Sequence, residues 1–84
     1  MDTSQKKQIS VARMGTGQSG TVVQMTGGHG LSQRLQALGV RPGKKITKVS
    51  SMFGRGPVTV QIDNTQIAIG YGMADKIIVE IDST

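Results

Sequence analysis

Twelve glycines divide this 84-residue chain into short segments, and that division constrains the fold more than any other feature. No apolar run is longer than Ile77-Ile78-Val79. A bilayer-spanning helix needs about 20 mostly apolar residues, so the sequence contains no such span. The length implies one domain, because two separate cores cannot be built from so few residues. A chain of this size buries roughly 60–65% of its unfolded surface, so its core is small. There is no cysteine, which removes disulfides and thiolate metal sites and fits a reducing compartment.

The opening residues, Met1 to Ser10, are polar and lack the apolar stretch of a secretory signal. Residues 1–8 read as a polar N-terminal tail and residues 9–82 as the domain, expected in the cytoplasm. Gly15 to Gly20 forms a glycine-rich loop, and Thr21 to Thr26, rich in Val and Thr, reads as a strand. One segment has helical spacing. Leu31, Leu35 and Leu38 recur at i, i+4 and i+7, which places them on one expected core face. Gly39 supplies a left-handed stop and Pro42 prevents continuation.

After the Arg41-Pro42-Gly43 turn, Lys44 to Phe53 reads as a strand whose Ile46, Val49, Met52 spacing implies a bulge. Gly54 to Pro57 is a turn. Val58, Val60 and Ile62 alternate, as do Ile67, Ile69 and Tyr71, which is the pattern of a hairpin. A two-residue turn at Asn64-Thr65 would set Ile62 opposite Ile67, Val60 opposite Ile69 and Val58 opposite Tyr71. Gly72 to Asp75 is a turn or a single helical turn, and Ile77, Val79 and Ile81 alternate in a last strand. About five strands and one short helix, joined by tight turns, predict a small β-barrel.

Most chemical motifs fail on context. Gly15-x-Gly17-x-x-Gly20 matches the letters of a dinucleotide fingerprint, but that motif works between a strand and a helix. Here a β-branched strand follows. His29, the sole histidine, has only scattered carboxylates as co-ligands, so a contact with ferrous iron has no ligand cluster behind it and no cofactor is expected. The five acidic residues suggest neither a catalytic pair nor a triad, and no enzyme activity is expected.

The net charge of +5 admits nucleic acid, an anionic membrane face or an acidic protein as partner. Phe53 and Tyr71 are the only aromatic residues, too few for a base-stacking platform. Arg41, Lys44, Lys45 and Lys48 form the densest basic cluster, either a solvated surface or a steering patch for an acidic partner. Phe53 and Arg55 flank Gly54 at a hairpin tip, where an aromatic beside an arginine makes a contact point; the other reading of Phe53 is core. Met14, Met25, Met52 and Met73 read as core fillers.

The run from Gly27 through Leu31, Leu35, Leu38-Gly39 and Pro42-Gly43 to Ile46 resembles the FeoA family. There a glycine-rich turn leads to a Leu-rich helix, a Leu-Gly stop, a Pro-Gly turn and a strand. Gly56 to Val60, Gln66 to Ile69, Met73 to Val79 and Gly17 to Met25 extend the resemblance over residues 9–82. It implies an all-β, SH3-like barrel with a helix inserted after the first strand. It also implies a cytoplasmic accessory of ferrous iron uptake that binds the cytosolic part of the FeoB membrane transporter. The same barrel resembles the C-terminal domain of iron-dependent repressors, without their helix-turn-helix portion. Ser32, Gln33 and Gly70-Tyr71-Gly72 depart from the basic residues common in the family. The candidate partner-binding residues are Arg41, Lys44 and Lys45 at the basic turn, Phe53 and Arg55 at the hairpin tip, and Arg34 on the exposed side of the helix. Alternative readings are a basic SH3-like nucleic-acid-binding or regulatory module, and a weak transition-metal binder. Nucleic acid is not the expected partner.

Overall fold

The computed structural model describes residues 6–51 and 56–82. Six strands form one antiparallel sheet in the order β1–β6–β2–β3–β4–β5. They are β1 (Lys6–Ser10), β2 (Ser19–Met25), β3 (Lys45–Ser51), β4 (Val58–Ile62), β5 (Thr65–Ile69) and β6 (Ile77–Asp82). Helix α1 (His29–Ala37) lies between β2 and β3, and the single helical turn α2 (Tyr71–Ala74) precedes β6. This is the expected β fold with one inserted helix, but with a sixth strand. Lys6 to Gln8, placed in the tail by the sequence reading, belong to β1, which pairs with β6 from Lys6↔Asp82 to Ser10↔Ile78.

Strand β2 lets the sheet curl. Its first half, Ser19 to Thr21, pairs with β3, and its second half, Thr21 to Met25, pairs with β6 across a register shift between Val22 and Gln24. Such an irregularity bends the strand and increases twist. Gly20 lies in the first half, two residues before this shift. A Cβ there would lie 2.9 Å from Ile81 Cγ2 and 3.0 Å from Val79 Cβ, so only glycine allows β6 this close. The bulge expected in the third segment is present, with a register shift between Lys48 and Ser50. Inward residues Ile46, Val60, Ile62, Val79 and Ile81 meet Leu35 and Val40 in one buried core. Met14 is in that core, and Met25 and Met73 pack against it.

Two local expectations change. The β4–β5 turn is Asp63-Asn64, not Asn64-Thr65, so Ile62 pairs with Thr65, Val60 with Ile67 and Val58 with Ile69. Asp63 takes φ 55°, the left-handed conformation that two-residue hairpin turns require and that aspartate tolerates. The shift in pairing is two residues, so the same side chains still face inward.

The second change concerns Leu38, which is 45% exposed instead of lying in the core. The helix ends at Ala37, and Gly39 turns left-handed at φ 96°. Val40 N–H then donates to Leu35 O (2.9 Å) and Gly39 N–H to Gln36 O (3.0 Å). This reversal carries Val40 inward to pack with Leu35 and leaves Leu38, at the cap, outside.

Candidate partner-binding surface

The basic segment after α1 is held by backbone bonds. Lys44 N–H donates to Arg41 O (3.1 Å), closing the turn over Pro42 and Gly43. Gly43 N–H donates to Val22 O and Val22 N–H to Lys44 O, each at 2.8 Å, which fixes the turn against β2. Beyond it, side chains alternate: Ile46 and Lys48 point into the molecule, Lys45 and Thr47 outward.

The predicted basic cluster therefore separates. Arg41 and Lys45 are exposed. Lys44 Nζ lies 3.1 Å from Asp63 Oδ2, an exposed ion pair across to the β4–β5 turn that is worth little to stability. Lys45 stands between two shallow cavities on the outer face of the sheet. One, of about 320 Å³, is lined by Lys6, Ser19, Thr21, Lys45 and Glu80 among others. The other, of about 250 Å³, is lined by Lys45, Thr47, Gln61 and Asp63. Hydroxyls line this trough too, and Ser19 Oγ and Thr47 Oγ1 share a 2.7 Å hydrogen bond.

Lys48 leaves the surface altogether. It is 5% exposed, and its Nζ donates to Met14 O (2.7 Å) and Ala12 O (3.1 Å). Its own backbone accepts from Gly17 N–H (2.7 Å) and donates to Gln18 O (2.9 Å). One residue thus ties down the segment from Ala12 to Gln18, and burial pushes its amine below the usual lysine pKa of 10.5. Lys48 lies two residues from Ile46 on the same strand, so period-two alternation already pointed it inward.

The glycine motif is part of this tied loop. Gly17 is at φ 88°, Gln18 N–H donates to Gly15 O (3.0 Å), and strand β2 follows without a helix. His29 begins α1 on the exposed surface, its Nε2 3.1 Å from Gln33 Nε2. Among the described residues no three His, Cys, Asp or Glu side chains converge as metal ligands would.

Arg34, in the last turn of α1, is exposed and lies one helical turn before Leu38. The C-terminal end of α1 thus presents an exposed apolar side chain preceded by Arg34 and followed, past the reversal, by Arg41. Periodicity alone missed Leu38, because it counts residues without regard to where the helix stops. Phe53 and Arg55 lie outside the described residues. No helix among the described residues is long and apolar enough to cross a membrane.

The curled antiparallel sheet, inserted helix and exposed basic turn define a small SH3-like β-domain presenting polar and basic side chains. The chain belongs to the FeoA family, whose domain matches residues 9–81. It is 36% identical over 64 residues to a candidate Fe(2+) transport protein A of Methanocaldococcus jannaschii, covering 76% of each chain. The crystal structure of an iron uptake regulatory protein (FeoA) superposes with a TM-score of 0.80 at 33% identity, covering 89% of this chain and 99% of that one. The zinc complex of Stenotrophomonas maltophilia FeoA, described as a prokaryotic SH3 domain protein, shares the fold at 23% identity, with a TM-score of 0.74 over 84% of this chain and 88% of that one. Membership of this family implies a role in ferrous iron transport.

Proposed function

We propose that this chain is a cytoplasmic accessory of ferrous iron uptake that acts by binding the cytosolic part of a FeoB-type membrane transporter, without catalysing a reaction. The supporting observation is family membership over residues 9–81, together with a surface on which Arg34, Arg41 and Lys45 stand free of the core. The exposed Leu38, placed between Arg34 and Arg41 in sequence, supplies an apolar anchor. The arginines and Lys45 steer an acidic partner surface toward it. Lys44 contributes less, because Asp63 already engages it. Iron is the transporter's cargo in this scheme, and the module acts on the transporter.

The test is a titration of the chain against the transporter's purified cytosolic domain, with and without guanine nucleotide. Saturable binding in at least one nucleotide state is expected, weakened roughly tenfold or more by an Arg41→Glu/Lys45→Glu double substitution. Absence of binding at ~0.5 mM in both states would sink the proposal.

A further inference from the structure

The sheet has two free edges among the described residues, β1 and β5, and they differ in how they meet solvent. The β1 edge carries Lys6 and Lys7, the kind of charge that keeps an edge from pairing with another chain. The β5 edge, Thr65-Gln66-Ile67-Ala68-Ile69, carries no charge, no proline and no bulge against β4. In a chain of net charge +5 this is an unprotected uncharged edge.

The hairpin determines which backbone groups that edge offers. A two-residue turn closes on the pair Ile62↔Thr65, so Val60↔Ile67 and Val58↔Ile69 are also hydrogen-bonded pairs. Gln66 and Ala68 fall in the alternate, non-bonded pairs with Gln61 and Thr59. Their N–H and C=O groups therefore point away from β4, toward the open side. Both residues are exposed, and no further strand lies beyond β5 in the sheet order among the described residues.

These groups sit one residue either side of Ile67, an arrangement that is its own complement. Two antiparallel β5 strands related by a two-fold axis at Ile67 would pair Gln66 with Ala68 and Ala68 with Gln66. Both pairs would exchange N–H···O bonds. Ile67 would face Ile67 in the closer, non-bonded position, joining two half-buried side chains at the margin of each core. We propose that β5 is a self-association edge through which two copies of this chain join their sheets, with the two-fold axis passing through Ile67. Because the pairing is isologous it closes at a dimer, and the lysine-bearing β1 edges remain outside. Five residues of strand bury far less than the ~1,000 Å² of a stable interface, so the dimer is weak and appears at high concentration.

Sedimentation of the wild-type chain is the first measurement, in ~0.3 M salt to screen its charge. A shift from monomer to dimer is expected between ~10 μM and ~1 mM. Gln66→Lys/Ala68→Lys places like charges opposite each other and should remove the dimer. Gln66→Glu/Ala68→Glu should do the same, and mixing the two variants should restore a one-to-one dimer. A wild-type chain still monomeric at ~1 mM overturns the proposal, as does a Lys variant that dimerises normally or a mixture that stays monomeric. Amide exchange on the wild type gives the register independently of variants. Gln66 and Ala68 amides should gain protection with concentration, whereas those of Thr65 and Ile67, already bonded to β4, should not. Equal behaviour of the two sets would place any dimer elsewhere.

Discussion

Lys48 is the residue whose role depends most on its surroundings. Its amine caps two carbonyls of the segment leading into β2, in a position where most strands carry an apolar side chain. Lys48→Met leaves those carbonyls without their donor and should lower stability by ~1–3 kcal/mol at neutral pH. The charge has its own signature. Burial lowers the folded-state pKa below 10.5, so between that value and 10.5 the unfolded chain binds a proton the folded chain does not. Lys48 therefore contributes stability that increases with pH through this window. The difference in urea midpoint between wild type and Lys48→Met should widen from neutral pH toward 10.5, and a constant difference would contradict it. Gly20 is a contrasting case, at which any side chain meets β6. Gly20→Ala should destabilise by ~1–3 kcal/mol in a denaturant titration, because Val79 and Ile81 cannot withdraw without opening the core.

At the level of elements, α1 shows how much a short helix relies on its packing. It has no side-chain N-cap hydrogen bond, so Leu35 and the Gly39 reversal hold it in place. Leu35→Ala should cost ~2–5 kcal/mol, whereas Leu38→Ala should change stability by less than ~0.5 kcal/mol. Thermal melts of the two variants make the comparison, and equal losses would place Leu38 in the core after all. The helix and every strand from β2 onward were legible in the leucine spacing and the alternating runs. The exact hairpin turn was not, because a two-residue shift in register preserves which side chains face inward. Strand β1 was also hidden, since Lys6-Lys7-Gln8 has no apolar alternation and is ordered by pairing with β6.

Across the whole molecule, charge and topology assign different tasks to different faces. Basic side chains gather around the turn after α1 and the outer trough, while the β5 edge is left neutral. Arg41→Glu with Lys45→Glu removes four units from the net charge of +5 without touching the core. Its association rate with the transporter's cytosolic domain should fall and lose much of its salt dependence, while the melting temperature stays close to wild type. Stopped-flow association at two ionic strengths checks this, and an unchanged rate would remove the basic turn from the contact. Of the candidate site, Arg34, Arg41 and Lys45 are legible in the sequence as exposed cations. Lys48, which the sequence groups with Arg41, Lys44 and Lys45 in one basic cluster but which is not a candidate contact, lies two residues from Ile46 and so faces inward.

By itself the sequence determined the class of fold, because glycine-bounded segments with period-two patterning and one leucine-spaced stretch allow little besides a small β module with a helix. It also determined the family, through the order of its glycine, leucine and proline signals. Only the tertiary structure decided which cations are free, which leucine is exposed and which sheet edge is open. Each of those depends on where a helix reverses or how strands pair, and such choices are made by contacts between residues far apart in the chain.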